Sequence, residues 1–127
     1  MTNSADIVLK WISSKGWHLF PHQRDMLHSA DLPAQLLIAP TGAGKTLAGF
    51  LPTLAELASH PHQGLHTIYV SPLKALTADI KRNLMTPIHD LNLDIKVEDR
   101  TGDTSSHIKR RQRADPPQIL LTTPESL

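Results

Sequence analysis

Ala39-Pro40-Thr41-Gly42-Ala43-Gly44-Lys45-Thr46 is the stretch that decides how this sequence is interpreted. A short apolar run at residues 36–38 precedes it, and a segment with helical spacing at residues 47–59 follows it. A strand, a glycine-rich turn and a helix, in this order, are the context of a phosphate-binding loop. The glycines let successive backbone N–H groups point at phosphate oxygens, and the positive end of the helix dipole adds to the same spot.

The residues of this loop have distinct predicted roles. Lys45 would reach the outer phosphates, and the Thr46 hydroxyl would hold Mg²⁺, so both are candidate catalytic residues. One departure from the usual pattern is Ala39, which stands at the first glycine position and fits there only with a negative φ. The alternative is a glycine-rich turn that merely ends a strand. The remaining residues of the predicted nucleotide cradle are Thr41, Gly42, Ala43 and Gly44.

Composition limits the class of protein. The chain has 127 residues, of which 39% are hydrophobic and 20% charged, and these values are typical of one folded domain. The absence of cysteine excludes disulfides and thiolate metal sites. No apolar run has the length of a membrane span, and the N-terminus lacks a signal-peptide pattern. The sequence therefore predicts a cytoplasmic protein without a membrane partner.

Predicted helices and strands alternate along the chain. Proline and glycine positions and apolar periodicity predict helices near residues 5–14, 22–29, 47–59, 73–91 and 106–113, and strands at 35–39, 67–70, 95–98 and 119–121. Pro87 is expected to divide the fourth helix. Alternation of this kind predicts an α/β fold with a parallel sheet and helices on both faces. Ligands of such sheets bind beyond the carboxyl ends of the strands.

Four short words follow predicted strands: Ala-Pro-Thr-Gly-Ala-Gly-Lys-Thr at 39–46, Ser-Pro-Leu-Lys-Ala-Leu at 71–76, Arg-Thr-Gly-Asp-Thr at 100–104 and Thr-Thr-Pro-Glu-Ser-Leu at 122–127. In this order they resemble superfamily 2 helicases, in particular the large helicase-related group of DExH-box enzymes. The opening at residues 17–23 is most similar to the ligase-associated bacterial branch. The resemblance implies a three-layer αβα, RecA-like P-loop NTPase domain at residues 34–127, incomplete here, after N-terminal helices at 1–33.

The resemblance also implies a function and site residues. It implies an ATP-driven, three-prime to five-prime translocase that acts in repair on single-stranded DNA or on DNA paired with RNA. Gln23 matches the glutamine that reads adenine, since an amide can pair with the N6 and N7 edge of that base; otherwise it is a surface helix residue. The positions that match nucleic-acid contacts are Ser71, Pro72, Lys74, Thr101, Gly102, Thr122 and Thr123.

Other features have weaker functional interpretations. Glu125-Ser126 stands where many superfamily members have Gly-Arg, so a phosphate contact from arginine is missing there. His60, His62 and His66 lack a carboxylate or cysteine at ligand spacing, and surface histidines are the preferred interpretation. Two sets of residues have two interpretations each. The basic set can bind phosphates or form a solvated helix face, and it consists of Lys109, Arg110, Arg111 and Arg113. The aromatic residues Trp11, Trp17 and Phe20 can stack on bases or pack in a core.

The carboxylate that phosphoryl transfer to water requires is not evident. No run of four apolar residues ending in Asp-Glu occurs in the sequence, and the resemblance places that acid, with a second RecA-like domain, beyond residue 127. We therefore expect ATP and Mg²⁺ as cofactors, the remainder of a helicase as a partner, and little turnover by this chain alone. Two alternatives stay open, a small P-loop kinase acting on a metabolite and a non-catalytic nucleotide-binding module.

Overall fold

A computed structural model describes residues 4–29, 32–38 and 45–127. Ala39 and the predicted cradle residues Thr41 to Gly44 lie outside the described residues. The chain forms two compact units, Met1–Pro61 and His62–Leu127. The predicted division into residues 1–33 and 34–127 stays a prediction.

Helices form the first unit. They are α1 (Ser4–Ser14), α2 (Pro21–His28) and α3 (Lys45–Ser59), and both α1 and α2 contact α3. Apolar residues recur at helical spacing, which gives each helix one inward face. Gly16, at φ +71°, follows α1 and takes the left-handed conformation that closes a helix end without strain. The buried apolar side chains are Ala5, Val8, Trp11, Ile12, Leu27, Ala48, Phe50, Leu51, Leu54, Ala55 and Leu57.

The strand predicted at residues 35–39 is not found in the described part of that range. Residues 35–38 belong to no strand, and Leu36 and Ile38 are 85% and 84% exposed. Gln35 instead bonds through its side chain with Ser29, which follows α2. The prediction is wrong for 35–38 because apolar residues favour extended backbone but do not specify the neighbouring strand that a ladder requires. Residue 39 lies outside the described residues.

A parallel sheet forms the second unit. Its elements are β1 (Thr67–Val70), α4 (Lys74–Asp90), β2 (Val97–Arg100), α5 (Ser106–Ala114), β3 (Ile119–Thr122) and a final 3₁₀ turn (Pro124–Ser126). The strand order is β1-β3-β2, and both pairings are parallel, as predicted. Ile119 and Leu121 of the central strand are fully buried. Strand β1 has the predicted bounds, and β2 begins two residues later than predicted.

Helices contact both faces of this sheet. Side chains of successive strand residues point to opposite faces. Glu98 accepts a hydrogen bond from Arg111 of α5 at 2.8 Å, whereas its neighbour Asp99 faces Lys81 of α4 at 3.9 Å. Helix α4 also packs on β2 and β3. The second unit therefore has the α/β layering that the alternation of elements predicts.

Helix α4 is continuous through Pro87, so its predicted division at this residue is wrong. Proline removes one hydrogen bond to the preceding turn, which is the reason to expect a break. Here Pro87 and Ile88 are buried in the last turn, and the packing of these side chains offsets the missing bond. The helix then closes through the bond from the Leu91 N–H to the Pro87 carbonyl, and Asn92 takes a positive φ of 52°.

Candidate functional site

The segments predicted to bind nucleic acid meet at one edge of the sheet. Ser71 follows β1, Thr101 follows β2 and Thr122 ends β3, and the three strands are parallel. The Ser71 N–H donates to the Thr122 carbonyl at 3.0 Å. The Thr122 hydroxyl donates to the Arg100 carbonyl at 2.7 Å. The structure thus brings these segments together at the carboxyl edge, where ligands of parallel sheets bind.

The turn between β1 and α4 uses its serine internally. Ser71 is buried, and its hydroxyl oxygen accepts a hydrogen bond from the Leu73 N–H at 3.3 Å. Pro72 and Lys74 are exposed, and Lys74 is the first residue of α4. The side chains that this turn presents to a ligand are therefore those of Pro72 and Lys74, while Ser71 holds the turn.

A tight turn follows β2. The Thr101 N–H donates to the Thr104 hydroxyl at 2.9 Å, and the Thr104 N–H donates to the Thr101 carbonyl at 3.1 Å. Thr101 is buried, whereas Gly102 is exposed. A Cβ atom added at Gly102 would meet nothing within 4 Å. The fold itself therefore leaves room for a side chain there, and a glycine in such a place allows close approach of a ligand to the backbone.

An ion pair joins the turns that follow β1 and β2. Lys74 Nζ lies 2.6 Å from Asp103 Oδ2, and the two side chains are 61% and 75% exposed. The hydrogen bond and the charge of Lys74 lower the pKa of the Asp103 carboxyl below its usual value. The sequence motif predicted a nucleic-acid contact for Lys74 but no role for Asp103. It did not predict that the two side chains form an ion pair.

Two buried threonines lie at the end of β3, and an exposed glutamate, Glu125, follows them. Thr122 and Thr123 are buried, and the Ser126 N–H donates to the Thr123 carbonyl at 3.0 Å. Hydrogen bonds from the backbone N–H of Glu125 and from the Thr123 side chain lower the pKa of the Glu125 carboxyl. This carboxylate precedes Ser126, the position at which many superfamily members have arginine, and its negative charge would repel a phosphate.

Arg100 is a second residue to which the sequence gave no role. Its guanidinium donates to the carbonyl of Ser126 at 3.2 Å, to the carbonyl of Lys109 at 3.3 Å and to Gln112 Oε1 at 3.4 Å. It therefore ties α5 and the final turn to the end of β2. In the basic set of α5, Arg110, Arg111 and Arg113 are all exposed, and Arg111 is bonded to Glu98, which raises the pKa of its guanidinium.

Gln23 is a buried residue of the first unit. It occupies the third position of α2, and its Oε1 accepts a hydrogen bond from the Phe20 N–H at 2.9 Å, which closes the helix start. The interpretation of Gln23 as an exposed surface residue is therefore excluded. An amide carries both an acceptor and a donor, and these are the groups that pair with the N6 and N7 edge of adenine.

Lys45 and Thr46 begin α3, and both are exposed. The other predicted loop residues, Thr41, Gly42, Ala43 and Gly44, lie outside the described residues. A single threonine hydroxyl at a helix start fits Mg²⁺, because this ion binds few protein ligands and takes its other oxygens from water and nucleotide phosphates. When bound, Mg²⁺ would neutralise charge on those phosphates.

Three aromatic side chains near the N-terminus make ring contacts. Trp11 is buried and its ring lies 5.6 Å from that of Trp17, edge to face, and Phe20 stacks on His22 at 5.6 Å. The packing interpretation is therefore confirmed for Trp11.

The described residues contain no group of three or more potential metal ligands. In the same residues, no helix has the length and apolar content needed to cross a bilayer.

Comparisons with known proteins find helicases, the class of protein that the four sequence motifs resemble. The model of the family "DEAD/DEAH box helicase" matches residues 14–127. "Lhr helicase/ probable uracil glycosylase" of Mycolicibacterium smegmatis is 50% identical over 72% of this chain and 7% of its own length. "ATP-dependent helicase Lhr-Core protein 2" of Thermococcus barophilus is 40% identical over 97% of this chain and 16% of its own length. The chain thus spans less than a fifth of either relative.

Two solved structures have the same fold. The Mycobacterium smegmatis helicase Lhr bound to ssDNA and AMP-PNP aligns with a TM-score of 0.85 and 40% identity, over 94% of this chain and 17% of that one. The DUF1998 helicase MrfA bound to DNA and AMPPNP aligns with a TM-score of 0.81 and 30% identity, over 98% and 18%.

Proposed function

Because the chain belongs to the DEAD/DEAH box helicase family, we propose that it binds ATP and single-stranded DNA as part of an ATP-driven DNA helicase. The similar solved structures contain ssDNA or DNA together with AMP-PNP. The predicted direction of translocation, the role in repair, the use of DNA–RNA duplexes and the ligase-associated branch rest on the resemblance described above, and the cytoplasmic location rests on composition; all five stay predictions.

The observation that supports nucleic-acid binding most directly is the carboxyl edge of the sheet. Three segments that are distant in sequence meet there, after β1, after β2 and after β3. Exposed Lys74 and the open backbone at Gly102 offer a positive charge and close N–H approach, which are the means by which proteins bind a phosphate backbone. Buried Ser71, Thr101, Thr122 and Thr123 shape the turns, so we propose that they position the contacts.

The proposed nucleotide site has three parts. Gln23 reads the adenine edge, the loop from Thr41 to Lys45 binds the phosphates, and Thr46 holds Mg²⁺. Support comes from the buried, helix-closing position of Gln23 and from the exposure of Lys45 and Thr46 at the start of α3. The positive end of α3 favours a phosphate at this place, since a helix start attracts negative charge.

Equilibrium binding distinguishes the helicase from the alternatives. We expect the chain to bind fluorescently labelled single-stranded DNA, with an affinity that falls as salt rises. Lys74→Ala should weaken binding, whereas Lys10→Ala, which removes an exposed lysine of α1, should not. A metabolite kinase or a non-catalytic nucleotide module would bind AMP-PNP without binding DNA, and that result would reject the proposal.

Replacing Gln23 tests the adenine contact. Gln23→Glu keeps an oxygen for the Phe20 N–H and loses the amide donor that N7 of adenine requires. We expect the preference for ATP over GTP to fall by about 1–3 kcal/mol, borrowing the scale of amide–adenine readout in DNA. Competition binding of the two nucleotides measures it.

The matched control is Gln63→Glu, which makes the same change of charge at an exposed glutamine of the second unit. It should leave the ATP-to-GTP ratio unchanged. An unchanged ratio in Gln23→Glu itself, with the circular dichroism of the protein also unchanged, would show that Gln23 only closes the helix.

A further inference from the structure

In the structure, Lys74 already forms an ion pair with the Asp103 carboxylate. Its ammonium lies 2.6 Å from the Asp103 carboxylate, although both side chains are mostly exposed. The pair links the start of α4 with the turn after β2, and these two segments flank the end of the central strand β3. A DNA phosphate that binds the Lys74 ammonium must therefore displace the Asp103 carboxylate.

Asp103 is held in this place by its own turn. Its N–H donates to the Thr101 hydroxyl oxygen at 3.3 Å, and Thr101 is in turn bonded to Thr104 through backbone and side chain. Thr101 is buried, so the turn is anchored at the end of β2. The carboxylate is thus presented to Lys74 by a fixed backbone, which reduces the entropy lost when the pair forms.

We propose that Asp103 is a specificity-determining residue, whose carboxylate competes with the DNA backbone for Lys74. This inference rests on the proposed nucleic-acid function and adds a repulsive element to it. A DNA strand binds only when its other contacts at this edge offset the displacement of Asp103. An isolated anion makes fewer of those contacts, so the pair discriminates against it.

The expected effect is a gain in affinity. Ion pairs between exposed side chains are weak, so removing the competing carboxylate should strengthen DNA binding by about two- to fivefold. If Asp103 were itself a favourable contact to the nucleic acid, its removal would weaken binding instead. The sign of the change therefore separates the two roles.

The test compares Asp103→Asn with a matched control. Asp79→Asn removes another mostly exposed carboxylate, which pairs with Arg82 at 3.3 Å within α4, so net charge changes by the same amount. Binding of a labelled single-stranded oligonucleotide to the 127-residue chain is measured across a salt series for both variants. Asp103→Ser, which retains a residue common in turns, provides a second removal of the carboxylate.

The deciding measurement is the effect of Asp103→Asn in a protein that also carries Lys74→Ala. Competition for Lys74 predicts that the gain from Asp103→Asn disappears when Lys74 is alanine, as a double-mutant cycle detects. General repulsion between Asp103 and DNA predicts that the gain persists, and this would overturn the inference. Equal gains in Asp103→Asn and Asp79→Asn, or weaker binding in Asp103→Asn, would also overturn it. Absence of DNA binding by the unsubstituted chain would reject the proposed function as well.

Discussion

Lys45→Ala is expected to weaken ATP binding by about 100-fold, or about 2.8 kcal/mol at 1.4 kcal/mol per tenfold. The ammonium of Lys45 would compensate the charge of the outer phosphates, and hydrogen bonds to charged groups are the stronger class in proteins. The side chain is exposed at the start of α3, so its loss should not disturb packing. Isothermal titration with ATP measures the affinity.

The control for this prediction is Lys10→Ala, which removes a lysine from the exposed side of α1. We expect its ATP affinity to equal that of the unsubstituted chain, and both variants should retain their circular dichroism. Wild-type affinity in a folded Lys45→Ala variant would contradict the phosphate-binding loop, and with it the proposed nucleotide site.

Leu121→Ala should lower the free energy of unfolding of the sheet by about 2–5 kcal/mol. Leu121 is fully buried in the central strand β3, and it pairs in register with Tyr69 on one side and Asp99 on the other. Truncation removes apolar contacts and leaves a cavity that a strand with two neighbours cannot close by moving. Urea unfolding, together with amide hydrogen exchange of β3, measures the loss.

Leu76→Ala is the comparison, because Leu76 is 42% exposed on α4. Its replacement should cost less than that of Leu121, since a smaller part of its surface is removed from water on folding. Equal losses for the two substitutions would show that Leu121 does not lie in the core of the sheet.

Local signals in the sequence were sufficient for most elements. Strand β1 occupies the predicted residues, because its β-branched and aromatic run lies between Gly64 and Pro72. Strand order was not predictable, since Thr67 pairs with Ile119 across about fifty intervening residues and no local pattern specifies that partner. Pro87 was misjudged for a related reason, as burial of a side chain is not visible in the sequence.

The candidate site was predicted as a set of segments but not as a set of contacts. Ser71, Thr101 and Thr122 do meet at one edge, as parallel strands require. The direction of their side chains was not predictable, because hydroxyl groups bond equally well to backbone and to ligands. The pairing of Lys74 with Asp103 joins residues 29 positions apart and depends on the order of the strands.

The position of β3 between the other two strands affects how the chain is made. Strands β1 and β2 each pair with β3, which follows both of them in the sequence. In the part of the sheet that the structure describes, the pairing of β1 and β2 therefore waits until residues 119–122 have left the ribosome. During that interval the hydrogen bonds that β1 and β2 make with β3 are not yet formed, and strand edges in this state associate readily with other chains. Slow elongation just before Ile119 would lengthen this interval and increase the need for chaperones.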